Sequence, residues 1–214
     1  MAKMIYGIDV SSYQKKIDWT KVAATKKVAF VIARVFHSKA PGDYGDDTMF
    51  VGNHDACTQA GIPFGVYFYF IVAQSGGKQA EHLLEIADGR FGTLAPVIDV
   101  EEGSGAQGWG ASADARLANL AACAQRITAA LGKPIIYTNQ DTWNTYFSGS
   151  AQFADYRLWL ADPHGSPGKP RYMPRGWKSW TIHQYATGTI DGIDAAVDLD
   201  CLNSDNIAVI QAKK

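Results

Sequence analysis

The sequence predicts an α/β fold, a modified (β/α) barrel of eight strands with helices mostly in the first five units and loop-connected strands at the end. Eight short apolar runs of strand character recur at a spacing of roughly 25 residues. The first five alternate with helix-like segments, which is typical of a parallel sheet, and eight strands close a (β/α) barrel. Such barrels typically have about 250 residues. Loops in place of the last helices account for the 214 residues of this chain.

The strand-like runs lie at residues 5–10, 28–35, 63–70, 95–102, 133–139, 157–162, 179–185 and 195–200. The first ends with Asp9 before a polar stretch, and the second is apolar enough to be buried on both faces. Pro63 bounds the third, and the fourth leads into acids before Gly103. Segments rich in Gly, Pro and aromatic residues join the last three runs, so little helix is predicted there.

Helices are predicted at residues 17–24, 46–60, 78–87, 112–131 and 141–147. Asp18 is the predicted N-cap of the first, and Gly61 supplies the C′ residue of the second. Gly89 ends the third. Apolar residues at helical spacing define the fourth, which Gly132 stops.

The alternative fold is an open doubly wound sheet. No Gly-x-Gly-x-x-Gly follows the first strand, so nucleotide binding is not supported. We predict one domain, residues 1–214, with a core at about 5–202 and a short C-terminal tail at 203–214.

Composition narrows the function. The hydrophobic share is 47%, the charged share is 19% and the net charge is −1. Without a basic cluster or an apolar run of about 18 residues, nucleic acid and membrane insertion are not expected. Cys57, Cys123 and Cys201 fit neither a disulfide framework nor a Cys-x-x-Cys metal site, so we expect buried thiols and folding in a reducing compartment. The first residues lack the pattern of a secretory signal.

Two acids end the fourth strand. Asp99 and Glu101 are two residues apart, so their side chains share one face of a strand. Neighbouring carboxylates repel each other, which raises at least one pKa and lets a protonated carboxyl act as a general acid near neutral pH. The alternative is that Asp99 caps the following loop and Glu101 is solvated.

Polar side chains stand at the carboxyl end of nearly every predicted strand. They are Asp9, Arg34, Asp99 with Glu101, Asn139, Asp162, Gln184 with Tyr185, and Asp198 with Asp200. In a barrel these ends meet on one face, where (β/α) barrel enzymes hold their sites. Each acid alone could instead cap a loop.

Aromatic residues are frequent near the carboxyl ends of the same predicted strands. They are Tyr67, Tyr69, Phe70, Tyr137, Trp159, Trp180 and Tyr185. Each alone could be core packing. Rings beside carboxylates suit a sugar, and two carboxyls around a glycosidic bond make a glycosidase site. A hard metal ion is the competing interpretation. Arg34 would add positive charge, and neither a calcium loop nor a paired His motif is present, so we expect no metal and no cofactor.

Several motifs resemble glycoside hydrolase family 25, the lysozymes or N-acetylmuramidases of bacteria, fungi and phages. They are residues 7–14, 17–19, 30–34, 60–67, 99–101, 158–161, 183–185 and 197–198. The resemblance implies a modified (β/α) barrel. It also implies hydrolysis of the β-1,4 bond between N-acetylmuramic acid and N-acetylglucosamine in peptidoglycan.

Carried onto this sequence, the family pattern makes Glu101 the acid/base and Asp99, Asp9 and Asp198 its catalytic partners. We expect the substrate-binding residues to be Arg34, Tyr67, Tyr69, Tyr137, Trp159, Gln184 and Tyr185. Phe68 departs from the family pattern, in which many members have His, and is expected to alter a subsite.

The resemblance also implies the partners and the place of action. The expected partner is the peptidoglycan glycan strand, acted on by a monomer without a cell-wall-binding module. The enzyme would reach the wall from the host cytoplasm by holin-type release, as a phage endolysin does, or as a secreted protein whose signal is absent here. A catalytically dead barrel that only binds glycan is the alternative function, against which the retention of every acid argues.

Overall fold

The computed structural model describes residues 4–40, 43–102 and 110–212, so Gly103, before which the fourth strand was predicted to end, lies outside the described residues. The strands in these ranges are β1 Tyr6–Val10, β2 Val31–Arg34, β3 Phe36–Ala40, β4 Asp43–Asp46, β5 Phe64–Tyr69, β6 Val97–Asp99, β7 Ile135–Thr138, β8 Arg157–Ala161, β9 Ile182–Gly188 and β10 Val197–Leu202. The α-helices are α1 Trp19–Thr25, α2 Phe50–Gln59, α3 Gly76–Ala87, α4 Ala113–Leu131 and α5 Gln140–Tyr146. Short 3-10 helices lie at Ser12–Gln14 and Ile207–Ile210.

Eight of the strands form a closed barrel in the order β1-β10-β9-β8-β7-β6-β5-β2, which confirms the predicted fold. Seven strands run parallel, but β10 is antiparallel to both β9 and β1, so the prediction of a wholly parallel sheet is wrong. The reason is the connection at residues 189–196, which is shorter than the dozen or so residues that a parallel crossover needs. The start of β10, not its end, therefore lies at the carboxyl ends of the other strands.

The helices largely follow the prediction. The Asp18 side chain accepts the Lys21 N–H at 3.0 Å, as expected of an N-cap. The second helix begins only at Phe50, because the hairpin of β3 and β4 occupies the residues before it. No helix lies between β8 and β9 in the described chain, as predicted.

Strand alternation separates two apolar layers. Residues such as Ile32, Val97 and Ile135 fill the barrel interior, whereas Val31 and Ile98 face the helices. Gly7 faces inward, where a Cβ would lie 2.4 Å from the Phe30 ring. The interior is therefore solid below the carboxyl ends of the strands.

The C-terminal segment closes the lower end of the barrel. Ile210 is fully buried, and its carbonyl accepts the Ala95 N–H at 2.9 Å. Arg157 donates to the carbonyl of Val209 at 2.9 Å. Residues 203–212 thus belong to the fold, and the predicted core of 5–202 is too short.

The three cysteines are buried and free, as predicted. Among the described helices, none combines the length and the apolar character that crossing a bilayer requires.

Candidate active site

A cavity of about 190 Å³ opens at the carboxyl ends of the parallel barrel strands. It is lined by Asp9, Tyr67, Asp99, Glu101, Tyr137, Trp159, Gln184 and Asp198. Each of these residues was predicted from the sequence to act in the site. A neighbouring groove of about 680 Å³ shares Glu101, Tyr137 and Gln184 with the cavity, so the two are continuous.

The strands place the four acids. Asp9 of β1 and Asp198 of β10 are directly opposite each other, and side chains of such a pair share one face of the sheet. Asp99 is the last residue of β6, and Glu101 follows just outside the strand. The Tyr69 hydroxyl fixes the backbone just after β6 by donating to the carbonyl of Glu101 at 3.0 Å.

A directed chain of hydrogen bonds crosses the floor of the cavity. The Tyr137 hydroxyl donates to Oε1 of Gln184 at 2.9 Å. This bond fixes the amide of Gln184, whose Nε2 donates to Oδ2 of Asp9 at 2.8 Å. Asp198 is oriented separately, because its Oδ1 accepts the Thr187 hydroxyl at 2.9 Å.

Burial and the charges of neighbouring acids raise the pKa values of Asp9, Asp99 and Glu101. Burial, followed by the negative charge of Asp198, raises the pKa of Glu101 from 4.5 to about 7. Burial and Asp198 also raise the pKa of Asp9 to about 7, although the hydrogen bond from Gln184 lowers it. Glu101 therefore keeps a proton near neutral pH, as a general acid must.

Asp99 is the more enclosed member of the predicted acid pair. Its pKa is raised well above 3.8 by burial first, then by the charges of Glu101 and Asp9. The Arg34 guanidinium opposes this shift. Oδ1 of Asp99 is buried and has no hydrogen-bond partner among the described residues.

Arg34 does not line the cavity. Its Nε pairs with Asp47 at 3.0 Å, and its terminal nitrogen donates to the Ser12 hydroxyl at 3.1 Å. Asp47 also accepts the Ser12 N–H at 2.8 Å. Arg34 acts on the acids through its charge and braces the loop after β1, which corrects the expected direct contact with substrate.

Two predicted sugar platforms are placed differently from expectation. Trp159 lines the cavity floor but is 98% buried, with its ring edge-on to Tyr137 at 4.9 Å. Tyr185 lines a different surface groove, where the centre of its ring lies 6.3 Å from that of Tyr6. Leu199 of β10 pairs with Ala186 of β9, and the next residue, Asp200, pairs with Gln184. Tyr185 therefore has no paired residue on β10 and forms a bulge. This bulge turns Tyr185 away from the acids.

Phe68 lies outside the site. It is fully buried on the helix-facing side of β5, where its ring stacks on Phe36 at 4.9 Å. The expectation that it alters a subsite is therefore wrong.

Two further acids from predicted strand ends, Asp162 and Asp200, do not line the cavity. Asp162 caps a loop, since its carboxylate accepts the N–H groups of His164, Arg171 and Tyr172. Asp200 is fully buried below the cavity, where its Oδ1 accepts the Trp159 indole N–H at 2.8 Å. The alternation of Asp198 and Asp200 on one strand was the signal that could have indicated Asp200 as part of the site.

This arrangement suits acid/base chemistry on a neutral ligand. Glu101 holds a proton next to the negative charge of Asp198, and Tyr67 and Tyr137 stay neutral because burial raises their pKa values. The described residues contain no cluster of three or more His, Cys, Asp or Glu side chains that could hold a metal ion.

Comparisons with known proteins fit this chemistry. The family model for glycosyl hydrolases family 25 matches residues 8–193. Lysozyme M1 of Streptomyces globisporus is 31% identical over 208 residues, covering 93% of this chain and 68% of that protein. The N,O-diacetylmuramidase of Chalaropsis sp is 29% identical over 186 residues, covering 84% of this chain and 87% of that protein. The bacterial lysozyme from Streptomyces coelicolor superimposes with a TM-score of 0.81 at 27% identity, covering 98% of this chain and 96% of that one.

The family match covers 186 of the 214 residues and includes three of the four cavity acids, Asp9, Asp99 and Glu101. This chain therefore belongs to family 25 of the glycosyl hydrolases and is a glycoside hydrolase, as its motifs predicted.

Proposed function

We propose that this protein is a lysozyme that hydrolyses the β-1,4 bond between N-acetylmuramic acid and N-acetylglucosamine in bacterial peptidoglycan. The observation that carries the proposal is Glu101, a carboxyl protonated near neutral pH within a cavity of further acids. The names of the two relatives, a lysozyme and a muramidase, support the choice of substrate.

In this mechanism Glu101 first protonates the oxygen of the leaving sugar. Once its proton has left, the carboxylate can accept a proton from water and so activate it for the second step. The rise in pKa to about 7 serves both halves, because it makes Glu101 a donor and an acceptor at similar pH. Asp198, together with Asp9 when its carboxyl is ionised, supplies negative charge to the positive character that develops at the anomeric carbon.

A further group must attack the anomeric carbon. Asp99 and Glu101 are two residues apart, so both approach a bound sugar from one side, whereas a nucleophile attacks from the face opposite the leaving group. We propose that the 2-acetamido oxygen of the substrate attacks instead. Asp99 would orient and charge-stabilise the acetamide through its unpartnered Oδ1. The outcome is net retention without a glycosyl-enzyme.

The bond and the stereochemistry are tested separately. Mass spectrometry of digested peptidoglycan identifies the bond, because N-acetylmuramic acid is expected at the new reducing end. NMR should show the β anomer first, and intact-protein mass spectrometry should show no adduct. An initially α product, or a stable adduct on Asp9 or Asp198, would contradict substrate assistance but leave the muramidase proposal standing. A reducing-end N-acetylglucosamine would contradict the proposed bond.

We propose that a monomer acts on glycan strands of the cell wall, after holin-type release or after secretion, and without nucleic acid or membrane insertion. Light scattering during size-exclusion chromatography tests the monomer, for which a mass near 23.2 kDa is expected.

A further inference from the structure

A fifth acid, Asp200, lies one layer below the cavity and is not part of its lining. In the antiparallel register, Asp9 pairs with Asp198 and Gly7 pairs with Asp200. Gly7 has no side chain, so the carboxyl of Asp200 faces the barrel interior diagonally below Asp9. Its exposed fraction is 0%, against 7% for Asp9.

This register brings the carboxyl of Asp200 next to that of Asp9, and a hydrogen bond between the two contributes to the pKa shifts of both. Two ionised carboxylates cannot form such a bond, because each offers only acceptors. A hydrogen bond between the two carboxyls therefore requires that one of them carries a proton, as in other buried carboxyl pairs. The described residues offer no donor to Oδ2 of Asp200, which fits a carboxyl that is itself the donor at that oxygen.

The surrounding hydrogen bonds decide which residue holds the proton. The directed bond from Tyr137 fixes the amide of Gln184 so that it donates to Asp9, which favours a charged Asp9. Asp200 receives only the neutral indole N–H of Trp159 and is more enclosed. Burial, then the charge of Asp9, raises the pKa of Asp200 well above 3.8.

We propose that Asp200 is a positioning residue that stays protonated and donates a hydrogen bond to Asp9, keeping Asp9 charged and oriented toward the sugar. The inference rests on the proposed function for its kinetic consequence but not for its protonation state. Asp9 then accepts from both Gln184 and Asp200, and these two bonds oppose the effect of burial and of Asp198 on its pKa.

Other titratable groups act on this pair. They are Asp198 and Cys201 on β10, Asp99 at the end of β6 with Glu101 after it, Tyr67 on β5, Tyr137 on β7 and Tyr185 on β9. Arg34 on β2 contributes positive charge to Asp99 and Tyr67.

Infrared spectroscopy of the whole chain tests the protonation directly. At pH about 8, the difference spectrum of wild type minus Asp200→Asn should show the carbonyl band of a protonated carboxylic acid. A carboxylate band in this difference spectrum, in place of the carbonyl band, would overturn the proposal. Asp162→Asn is the control: this side chain is also buried, and its two oxygens accept three backbone N–H groups, so its difference spectrum should lack the protonated band.

The pH profile of kcat/KM tests the effect on Asp9. Asp200→Asn keeps a neutral donor, so the acid limb should stay in place. Asp200→Leu removes the donor, so the acid limb should move upward by about one pH unit or more. Asp200→Ala replaces the leucine variant if that one does not fold.

Two kinetic results would overturn the proposal. A downward shift of the acid limb in Asp200→Asn would mean that a negative charge had been removed. An unmoved limb in the apolar variant would mean that Asp200 only packs. If the wild type releases no reducing ends from cell walls, the proposed function fails, while the infrared result still decides the protonation of Asp200.

Discussion

Replacing Glu101 by Gln should stabilise the protein while abolishing its activity. The pocket raises the pKa of this carboxyl from 4.5 to about 7, mainly by burial and then by the charge of Asp198. A group whose pKa is raised on folding contributes most to stability below the unfolded pKa. That contribution is lost as the pH rises from about 4.5 to about 7.

The structure also gives the size of this effect. A pKa difference from 4.5 to about 7, at about 1.4 kcal/mol per pH unit, corresponds to at most about 3.5 kcal/mol. Because Glu101 is partly exposed and interacts with other acids, we expect a gain of about 1–3 kcal/mol for Glu101→Gln at pH about 8. For a chain of this length that raises Tm by about 2–12 °C. At pH about 4 both proteins carry a neutral group and should differ by less than about 0.5 kcal/mol.

Urea or thermal unfolding of both proteins at the two pH values is the assay. Glu102→Gln is the control, because Glu102 is exposed and keeps an acceptor for the Tyr146 hydroxyl as an amide. Its effect should stay within about 0.5 kcal/mol at either pH. A Glu101→Gln protein that is less stable at pH 8, or equally altered at both pH values, would refute the reasoning.

The remaining predictions concern activity and packing. Activity should follow a bell-shaped pH profile with its optimum on the acidic side of neutral, since the proton of Glu101 is lost above about pH 7; rates that are flat from about pH 4 to 9 would contradict the acid/base scheme. Lysis should survive EDTA, and loss of lysis that a divalent ion reverses would reinstate the metal alternative. Trp159→Ala should cost about 3–5 kcal/mol of unfolding free energy, because the ring is 98% buried; a small loss in thermal melts would restore its role as an exposed platform. Gln184→Leu should lower kcat/KM about tenfold or more by removing the charge-assisted bond to Asp9; unchanged kinetics would show that this bond does not matter.

Much of the barrel and its acids could be predicted because local pattern and topology agree there. The apolar runs, helix caps and strand-end polar residues together predicted the eight strands and every side chain that lines the cavity. Strand direction could not be read the same way. Asp198 lies with Asp9 because β10 is antiparallel, although the prediction placed it at the end of a parallel strand.

The errors in the site arise where a pattern has two physical outcomes. Strand alternation would have assigned Gln184 and Tyr185 to opposite faces, and the bulge confirms that only Gln184 reaches the acids. Apolar sequence alone does not distinguish a ring that lines a cavity from one that fills the core, and Trp159 does both. Arg34 ends β2 as predicted, but Asp47, which lies just after β4, binds its guanidinium.

The pairing of β1 with β10 joins the first and the last strand of the chain and closes the barrel. Contacts between such distant segments carry the largest loop-closure entropy and form late. Until β10 is in place, β1 and β9 are unpaired edges, which invite association with other chains. The same strand supplies Asp198, so ring closure and assembly of the acid pocket are a single event. A chain that is still being synthesised, or one truncated before Val197, therefore has neither a closed barrel nor a complete set of acids.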